Sequence, residues 1–291
     1  MNCRLVVNGF LNSAKFTDLY KMFVSSGKRN GVDVEIKTSS DLSRPLGCFS
    51  NDVAKPDFVI FWDKDIYLAE ELEKSGLKVF NSSKSIELCD NKIKTSLALE
   101  GKVVMPETIV APKTFENVGY TDLSFFASAA EELGFPMVIK EAYGSFGRQV
   151  YLANDYTDGV EIIKRIGYKE FLMQKFVSSS RGKDLRICVV GGEVVATMLR
   201  QNDKDFRSNI TGGGTATRYE PTVEQKQAAI TACEELGLDF GGVDILFGND
   251  GTPIVCEVNS NLHFRSVYEC SGVDLSDLII KHVLSCINCS K

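Results

Sequence analysis

Residues 241–261 constrain the fold of this chain more than any other segment. They read GGVDILFGNDGTPIVCEVNSN, in which two apolar runs flank the turn-forming residues 248–251. Short apolar runs joined by such a turn are typical of a β-hairpin, here with Asn249 and Asp250 at its tip. Pro253 cannot donate a ladder hydrogen bond, so we expect it at an edge, a bulge or a non-bonded position.

Three oxygen-bearing side chains fall on one face of this hairpin. With that tip, paired residue numbers sum to 499, so Asp244 lies opposite Val255 and Glu257 opposite Gly242. Asp244 and Glu257 are then diagonal neighbours about 7–8 Å apart at the backbone, and Asn259 shares their face. Two carboxylates and an amide oxygen suit Mg²⁺ or Mn²⁺. The alternative is a polar, solvated face, which is less favoured because the acids interrupt runs that are otherwise apolar.

Composition and charge narrow the class of protein. The 291 residues are 44% hydrophobic and 25% charged, which is typical of one large or two to three small globular domains. A net charge of −6 gives no indication of a nucleic-acid partner. Because no apolar run approaches transmembrane length, we expect no membrane partner either. The sequence leaves open whether the chain forms a homo-oligomer.

The nine cysteines, an odd number without an evident signal peptide, indicate reduced thiols and a cytoplasmic location. Cys286 and Cys289 have the spacing of a zinc-binding pair, but there is no second pair and there are only two histidines. We therefore interpret these thiols as incidental. His282 lies in an amphipathic helical pattern, which favours a structural role, whereas His263 could be structural or functional.

The first 90 residues alternate strand and helix patterns, with buried-strand runs at residues 3–7 and 58–62. Such alternation predicts a parallel, doubly wound sheet. Residues 7–10 hold one glycine instead of the three of the dinucleotide fingerprint, so no Rossmann cofactor is indicated. We interpret this region as a scaffold that helps bind the substrate. Residues 82–100 then read as a single helix.

A second informative stretch, residues 135–152, reads as a strand ending in Lys140, a small-residue loop and a returning strand. The loop contains Gly144, Ser145 and Gly147. Its backbone N–H groups could cover phosphates while the lysine supplies a point charge. Many hairpins contain glycines, so this pattern alone is not specific, and it lacks the Gly-Lys-Ser/Thr of a Walker loop.

Residues 201–218 contain Arg207 and the three consecutive glycines 212–214. Adjacent glycines are costly to order, so we predict a mobile loop outside regular elements. An arginine on a flexible loop suits a lid over a polyphosphate. The alternative, a disordered surface loop with an incidental arginine, is favoured when this segment is considered alone.

Together these motifs resemble the ATP-grasp superfamily, specifically the RimK-type amino-acid ligases. The resemblance runs from residue 90 to the end, through FPMVIK, MQKFV, GKDLR, VVGGEVVATM, DFRSN, GVDIL and CEVNSN. It implies an α/β (α+β ATP-grasp) fold in which two antiparallel subdomains enclose the nucleotide. The expected divisions are a parallel α/β domain at 1–90, a central subdomain with the glycine loop at 91–178, and a C-terminal subdomain with the metal site at 179–291.

The resemblance also implies a role for each matched residue. Lys92 and Lys140 contact ATP, with Lys140 under the glycine loop. Asp184 lies near the ribose, and Arg186 near a phosphate or the substrate carboxylate. The adenine contacts are supplied by Gln174, Lys175, Phe176 and Val177. The residues that close over the triphosphate are Arg207, Ser208 and Asn209. One or two Mg²⁺ or Mn²⁺ ions are held by Asp244, Glu257 and Asn259.

The implied reaction is ADP-producing amide or peptide bond formation between a carboxylate and an amine, through an acyl phosphate. Catalysis then rests on positioning and charge neutralisation by Lys140, Arg207 and either Arg186 or Arg200. Substrates of this class are small molecules, amino acids or peptides, including protein termini, and glutamate is the default transferred amino acid. The alternatives are an ATP-binding regulatory module without turnover and a purely structural α/β protein.

The chain departs from the family pattern at one residue and in one short segment. Lys175 stands where relatives often carry an acidic residue, although the contacts expected there are made by the backbone. Residues 260–264 replace a small-residue Pro-Gly turn beside the expected site of the acceptor amine. The sequence therefore does not identify the transferred amino acid.

Overall fold

The computed structural model describes residues 1–11, 13–51 and 55–289. The N-terminal strands are β1 (Asn2–Val7), β2 (Asp33–Thr38), β3 (Phe58–Trp62) and β4 (Val79–Phe80). They form a parallel sheet in the order β2-β1-β3-β4, with α1 (Ala14–Arg29) and α2 (Ile66–Lys74) as crossover helices. The predicted parallel α/β sheet is confirmed.

A second, antiparallel sheet has a hydrophobic core of its own. Its strands are β5 (Thr108–Val110), β6 (Met137–Glu141), β7 (Val150–Ala153) and β8 (Phe171–Lys175), in the order β5-β8-β6-β7. The helices α5 (Ser124–Leu133) and α6 (Tyr156–Ile166) bury Phe126 and Ile163 against Phe171. We call this unit the central sheet.

The C-terminal sheet is antiparallel and five-stranded. Its strands are β9 (Lys183–Val190), β10 (Glu193–Gln201), β11 (Thr215–Thr217), β12 (Phe240–Phe247) and β13 (Pro253–Asn259), in the order β11-β10-β9-β12-β13. The accompanying helices are α7 (Val223–Glu235), α8 (Arg265–Ser271) and α9 (Leu275–Cys289). The predicted pair of antiparallel sheets is confirmed. No helix in the described part of the chain is long and apolar enough to cross a bilayer.

The N-terminal and C-terminal sheets share one hydrophobic core. The Trp62 ring stacks on Phe240 with ring centroids 5.6 Å apart, and it meets Phe23 at 5.0 Å and Phe264 at 5.5 Å edge-on. Helices α8 and α9 contribute to the same cluster. These two sheets therefore pack as one unit, beside the separate core of the central sheet.

Asn81 also joins these two sheets. Its side chain is fully buried, and its Nδ2 donates to the carbonyl oxygens of Phe240 at 2.9 Å and Ser260 at 3.2 Å. Its Oδ1 accepts from the backbone N–H groups of Asp239 at 2.8 Å and Phe240 at 3.2 Å. One amide thus satisfies four backbone hydrogen bonds at the junction.

We expect Asn81→Ala to lower the free energy of unfolding by about 3–5 kcal/mol, because buried backbone groups lose their partners. Urea denaturation measures this change. As a control, Asn30→Ala removes a partly buried asparagine that donates to the Ser26 carbonyl and to Asp277, and it should cost about 1 kcal/mol. Equal losses in the two variants would contradict the proposed importance of the junction.

The single helix predicted at residues 82–100 was wrong, since the chain forms α3 (Ser83–Asp90) and α4 (Lys92–Leu99). Asn91 between them is extended, and its side chain accepts from two N–H groups of the first turn of α4, at 2.9 and 3.1 Å. Asparagine stabilises a helix start in this way and competes with helix continuation. The break places Lys92 beside the glycine loop, where its N–H donates to the carbonyl of Ala142 at 2.9 Å.

The hairpin of β12 and β13 is present, but its predicted register was wrong. Asp244 lies directly opposite Glu257 instead of diagonal to it, and Gly242 lies opposite Asn259. The loop spans residues 248–252, where the Gly248 N–H donates to the Thr252 carbonyl, so the turn is longer than a two-residue tip.

A β-bulge accounts for the remaining shift. The pairing changes between Asp244 and Ile245, which faces Val255, so Cys256 is the extra residue of β13. Pro253 is accommodated because β13 is an edge strand, as predicted. Asp244 and Glu257 still share a face, because directly opposed residues point to the same side of a sheet.

As predicted, the glycine run 212–214 is not in the interior of a helix or strand. Gly212 ends a 3₁₀ turn, Ile210–Gly212, and β11 begins directly after the run. A Cβ on Gly214 would lie 2.5 Å from the Ser208 carbonyl oxygen, so the run packs closely against the preceding segment.

Candidate nucleotide and substrate site

A row of charged side chains crosses one face of the C-terminal sheet. Cross-strand pairing places Arg200 opposite Asp184, and Arg186 opposite Asp244, which in turn faces Glu257. Because side chains alternate along a strand, all five lie on the same face. Four adjacent strands thus contribute two arginines and three carboxylates to one surface, and the two carboxylates on β12 and β13 are neighbours.

Most of these charges are paired with each other. Arg200 donates from Nε and Nη2 to the Asp184 carboxylate at 2.7 and 2.5 Å. Arg186 donates in the same way to Asp244, at 2.7 Å for both bonds, and Arg200 Nη2 lies 2.8 Å from Asp244 Oδ2. Burial would raise the pKa of Asp244, but the two guanidinium groups outweigh it and lower the pKa. Asp244 is therefore ionised at neutral pH.

Glu257 and Lys140 contrast with these paired groups. Among the described residues, the Glu257 carboxylate accepts no hydrogen bond. Lys140 is 7% exposed and has no acidic partner within ion-pair distance in the described parts of the chain; its Nζ lies 3.5 Å from Cys256 Sγ. Buried ammonium groups normally have a counter-charge, so an ammonium without one is suited to an anionic ligand.

Lys92 reinforces the positive charge near Lys140. Its Nζ donates to the Gly144 carbonyl at 3.2 Å, below the glycine loop. Burial lowers the pKa of Lys92, and the nearby Lys140 lowers it further against the opposing effect of Glu257. Desolvated cations of this kind bind phosphate oxygens strongly, because few water molecules compete for them.

The predicted metal-binding residues fit a hard divalent cation in their chemistry. Their donors are oxygens only, and the Glu257 carboxylate accepts no hydrogen bond among the described residues. Asp244 differs, since three arginine contacts occupy its carboxylate. An ion here would therefore compete with Arg186 and Arg200 for that group.

The glycine loop contacts the segment predicted to close over the triphosphate. Arg207 Nη1 donates to the Gly147 carbonyl at 2.6 Å, while its Nε and Nη2 bind the Asp205 carboxylate at 3.0 and 2.7 Å. Gly147 has a φ of +71°, and a Cβ there would lie 2.7 Å from Asn209 Nδ2. The left-handed backbone at this position favours glycine.

Two adjacent cavities open onto the charged row. The smaller, about 100 Å³, lies between the central and C-terminal sheets, and the larger, about 530 Å³, faces the N-terminal sheet. Both are lined by Gly147, Asn209 and Glu257. The other predicted residues that line the smaller cavity are Lys92, Lys140, Gln174, Lys175, Phe176, Val177, Asp184, Arg207, Ser208 and Asp244. Ser145, Arg186 and Asn259 line the larger cavity, and Gly144 lines neither cavity.

The larger cavity includes residues that the sequence analysis did not identify. Lys15 on α1 places its Nζ 5.2 Å from the centre of the Phe146 ring on the glycine loop. Lys64 pairs with Asp90, and its Nζ is 3.4 Å from Ser145 Oγ. No local pattern distinguishes these lysines, because only the packing of the N-terminal sheet brings them to the site.

His263 lies at the wall of this cavity. Its Nε2 is 3.3 Å from the Lys15 carbonyl oxygen, and its ring meets Phe16 edge-on at 5.8 Å. Burial, together with the charge of Lys15, lowers the pKa of His263 from 6.5 to about 4. The imidazole is therefore neutral at pH 7.

This pKa predicts a contribution to acid sensitivity. The unfolded chain binds a proton at His263 near pH 6.5, whereas the folded protein resists protonation until about pH 4. Stability due to this residue is thus present above pH 6.5 and is lost as pH falls toward 4. Melting temperatures across that range should fall less steeply for His263→Gln than for the wild type. An equally steep fall would contradict the assignment.

A glycine loop over the buried Lys140 and the partly buried Lys92, facing a charged antiparallel sheet, is typical of the ATP-grasp class. The model of the RimK-like ATP-grasp domain matches residues 81–283, and the chain belongs to this family. Solved structures agree on the fold. A RimK domain ATP-grasp protein from Sphaerobacter thermophilus superposes with a TM-score of 0.73 at 20% identity, covering 98% of this chain and 100% of that one. A D-alanine–D-alanine ligase from Bacillus anthracis in complex with ATP gives 0.73 at 16% identity, covering both chains fully.

Curated relatives share more of the sequence. Human (Homo sapiens) N-acetylaspartylglutamate synthase A is 36% identical over 225 residues, which cover 77% of this chain and 56% of that protein. A probable alpha-L-glutamate ligase from Maridesulfovibrio salexigens is 33% identical over 220 residues, covering 74% of this chain and 70% of that protein. The chain spans little more than half the length of the first of these relatives.

Proposed function

We propose that this protein is an ATP-dependent ligase that joins a carboxylate to an amine through an acyl phosphate and releases ADP and phosphate. The observation that carries the proposal is the convergence of the buried Lys140 ammonium and the unengaged Glu257 carboxylate on one cavity between two sheets. Membership of the RimK-like family supports the same reaction class.

In this mechanism the residues mainly bind ATP and neutralise the negative charge of its phosphates. Lys92 and Lys140 hold the ATP phosphates below the glycine loop, and Arg207 exchanges its Asp205 contact for a phosphate oxygen. The substrate carboxylate attacks the γ-phosphorus, the bond to the bridging oxygen breaks, and ADP leaves. The amine then attacks the acyl carbon and expels phosphate, losing a proton. Mg²⁺ or Mn²⁺ held by Asp244, Glu257 and Asn259 would neutralise charge on the transferring phosphoryl group.

The smaller cavity is proposed to receive the nucleotide, with the adenine along residues 174–177. Its volume of about 100 Å³ is below the roughly 300–1,000 Å³ typical of ligand pockets. We therefore propose that the central sheet moves away from the C-terminal sheet when ATP binds. The separate core of the central sheet permits such a movement as a unit. We propose that the three sheets mark the three subdomains 1–90, 91–178 and 179–291.

The larger cavity is proposed to hold the substrates, between the N-terminal sheet and the charged row. The cation of Lys15 has no acidic partner within ion-pair distance among the described residues, and Arg186 also lines this cavity. Positive groups there suit carboxylate-bearing substrates. The names of the relatives make glutamate the first amine to test. We also propose a reducing, cytoplasmic setting, which is typical of a chain with nine cysteines and no disulfide among the described residues.

The test is ATP turnover with Mg²⁺ or Mn²⁺, candidate carboxylates and glutamate, followed by mass analysis of the product. The proposal expects ADP release that depends on both substrates, and a product joined with loss of water. Tight ATP binding without substrate-dependent turnover would instead support the regulatory alternative. Absence of ATP binding would overturn both functions.

A further inference from the structure

A second group of potential metal ligands lies away from the active site, on the C-terminal helix. His282 and Cys286 are one turn apart on α9, and Asp239 immediately precedes β12. His282 Nε2 is 3.0 Å from Asp239 Oδ1, and Cys286 Sγ is 3.5 Å from the same nitrogen. One ligand atom from each residue lies within 4.8 Å of the other two.

The geometry differs from that of a Cys-His-Asp catalytic relay. In a relay the acid and the nucleophile bind opposite nitrogens of the imidazole, so that a proton can cross the ring. Here Asp239 approaches Nε2, and the thiol is also nearer to Nε2 than to Nδ1, at 3.5 against 3.9 Å. Both groups are thus nearer to Nε2, and the three donors lie within 4.8 Å of one another, close enough to share an ion once the thiol turns toward it.

Neighbouring backbone fixes the imidazole in this position. Gly191, in the turn between β9 and β10, lies so close that a Cβ there would be 2.5 Å from His282 Nδ1. The Gly191 N–H donates to the Asp239 carbonyl at 2.8 Å, which ties this turn to the third member of the cluster. The His282 and Asp239 donors are thus held together before any ion arrives, which lowers the entropic cost of binding.

We propose that Asp239, His282 and Cys286 bind one Zn²⁺ ion, with water completing a four-coordinate shell. Mixed sulfur, nitrogen and oxygen donors prefer zinc over the hard cations suited to the oxygen-only set at Asp244, Glu257 and Asn259. The Cys286 side chain lies beside the ring, so coordination requires a rotation about its Cα–Cβ bond. The ion fastens α9 to the start of β12. This inference does not depend on the proposed ligase activity.

The site also revises the interpretation of the cysteine pair. The sequence spacing pointed to Cys286 with Cys289, but Cys289 is not part of the cluster. Cys286 instead meets a histidine one helical turn earlier and an aspartate 47 positions away in the chain. The helical i, i+4 spacing brings the first two together, and the sheet supplies the third.

The test uses Co²⁺ as a spectroscopic substitute for Zn²⁺ in the 291-residue chain, with excess Mg²⁺ present to occupy the oxygen site. We expect one equivalent of Co²⁺ to bind with thiolate-to-cobalt charge-transfer absorption. Loss of an outer partner alone costs about 10–100-fold in metal affinity, so removing the ligand in Cys286→Ser should weaken binding by at least about 100-fold. Cys289→Ser is the matched control and should keep both affinity and absorption.

Two further measurements make the result decisive. Asp239→Asn should weaken binding while keeping the charge-transfer absorption, because the thiolate remains. Zn²⁺ should raise the melting temperature of the wild type but not that of Cys286→Ser, since a ligand that binds only the folded state stabilises it. Absence of Co²⁺ binding, or charge transfer that persists in a folded Cys286→Ser variant, would overturn the proposal and leave a hydrogen-bonded group.

Discussion

Glu257→Gln is expected to lower metal-dependent ATP turnover by at least about 100-fold, the scale seen when one group that stabilises the transition state is removed. Glutamine keeps the shape of the side chain but loses the negative charge that a divalent cation requires. The carboxylate accepts no hydrogen bond among the described residues, so the fold should be unaffected. Steady-state turnover across a Mg²⁺ titration, together with the melting temperature, measures both effects.

Glu141→Gln is a suitable control, because Glu141 is a buried acid on β6, the strand that carries Lys140. It accepts from the Tyr151 hydroxyl at 2.6 Å and pairs with Lys169 at 2.9 Å, on the face of β6 opposite to Lys140. We expect this variant to lose stability and to keep its turnover per folded molecule. Near-normal turnover in Glu257→Gln would argue strongly against a metal at this hairpin.

Lys140→Ala should weaken ATP binding by about tenfold and reduce kcat/KM by at least about 100-fold. The buried Lys140 cation contributes to ATP affinity and to catalysis. It contacts the phosphates in the ground state, and it neutralises more charge as the phosphoryl group is transferred. Folding stability should stay level or rise, since removal of a desolvated ammonium without an acidic partner relieves an electrostatic cost. Nucleotide titration, steady-state kinetics and thermal melting separate the three effects.

Lys169→Ala provides the matched comparison. Lys169 is largely exposed and pairs with Glu141, so its removal should change stability by about 1 kcal/mol or less and leave ATP affinity unchanged. Unchanged kinetics in Lys140→Ala would mean that the glycine loop is only a connector between two strands. A large loss of stability in Lys140→Ala would instead show that its ammonium has a structural role.

The paired charges of the C-terminal sheet add a constraint on metal binding. Asp244 is engaged by Arg186 and Arg200, and removing one partner from a buried pair is usually more costly than the pair is worth. If a cation binds Asp244, the arginine that it displaces needs a new negative partner. If a phosphate binds Arg186, Asp244 likewise needs a new positive partner. A bound phosphate for Arg186, together with a cation for Asp244, would meet both needs simultaneously. We therefore expect the cation and the phosphate to bind together at the proposed site.

The sequence by itself determined most of the local elements and the shared face of the three predicted metal-binding residues. Alternation along β12 and β13 is sufficient to place Asp244, Glu257 and Asn259 on one side, because side-chain direction repeats every second residue. That conclusion survived the error in register, since the bulge lies beyond Asp244 and leaves both acids on the same face. The glycine loop and Lys140 were also identified from a local pattern.

Only the tertiary structure decided which groups meet over long separations in the chain. Asn81 reaches Phe240, Lys15 reaches the glycine loop, and Asp239 reaches His282. The hydrophobic periodicity of a helix or strand indicates which of its faces is buried. It does not indicate which other element packs against that face. The register of β13 likewise depended on a five-residue loop and a bulge, whose geometry is set by hydrogen bonds that local propensity does not specify.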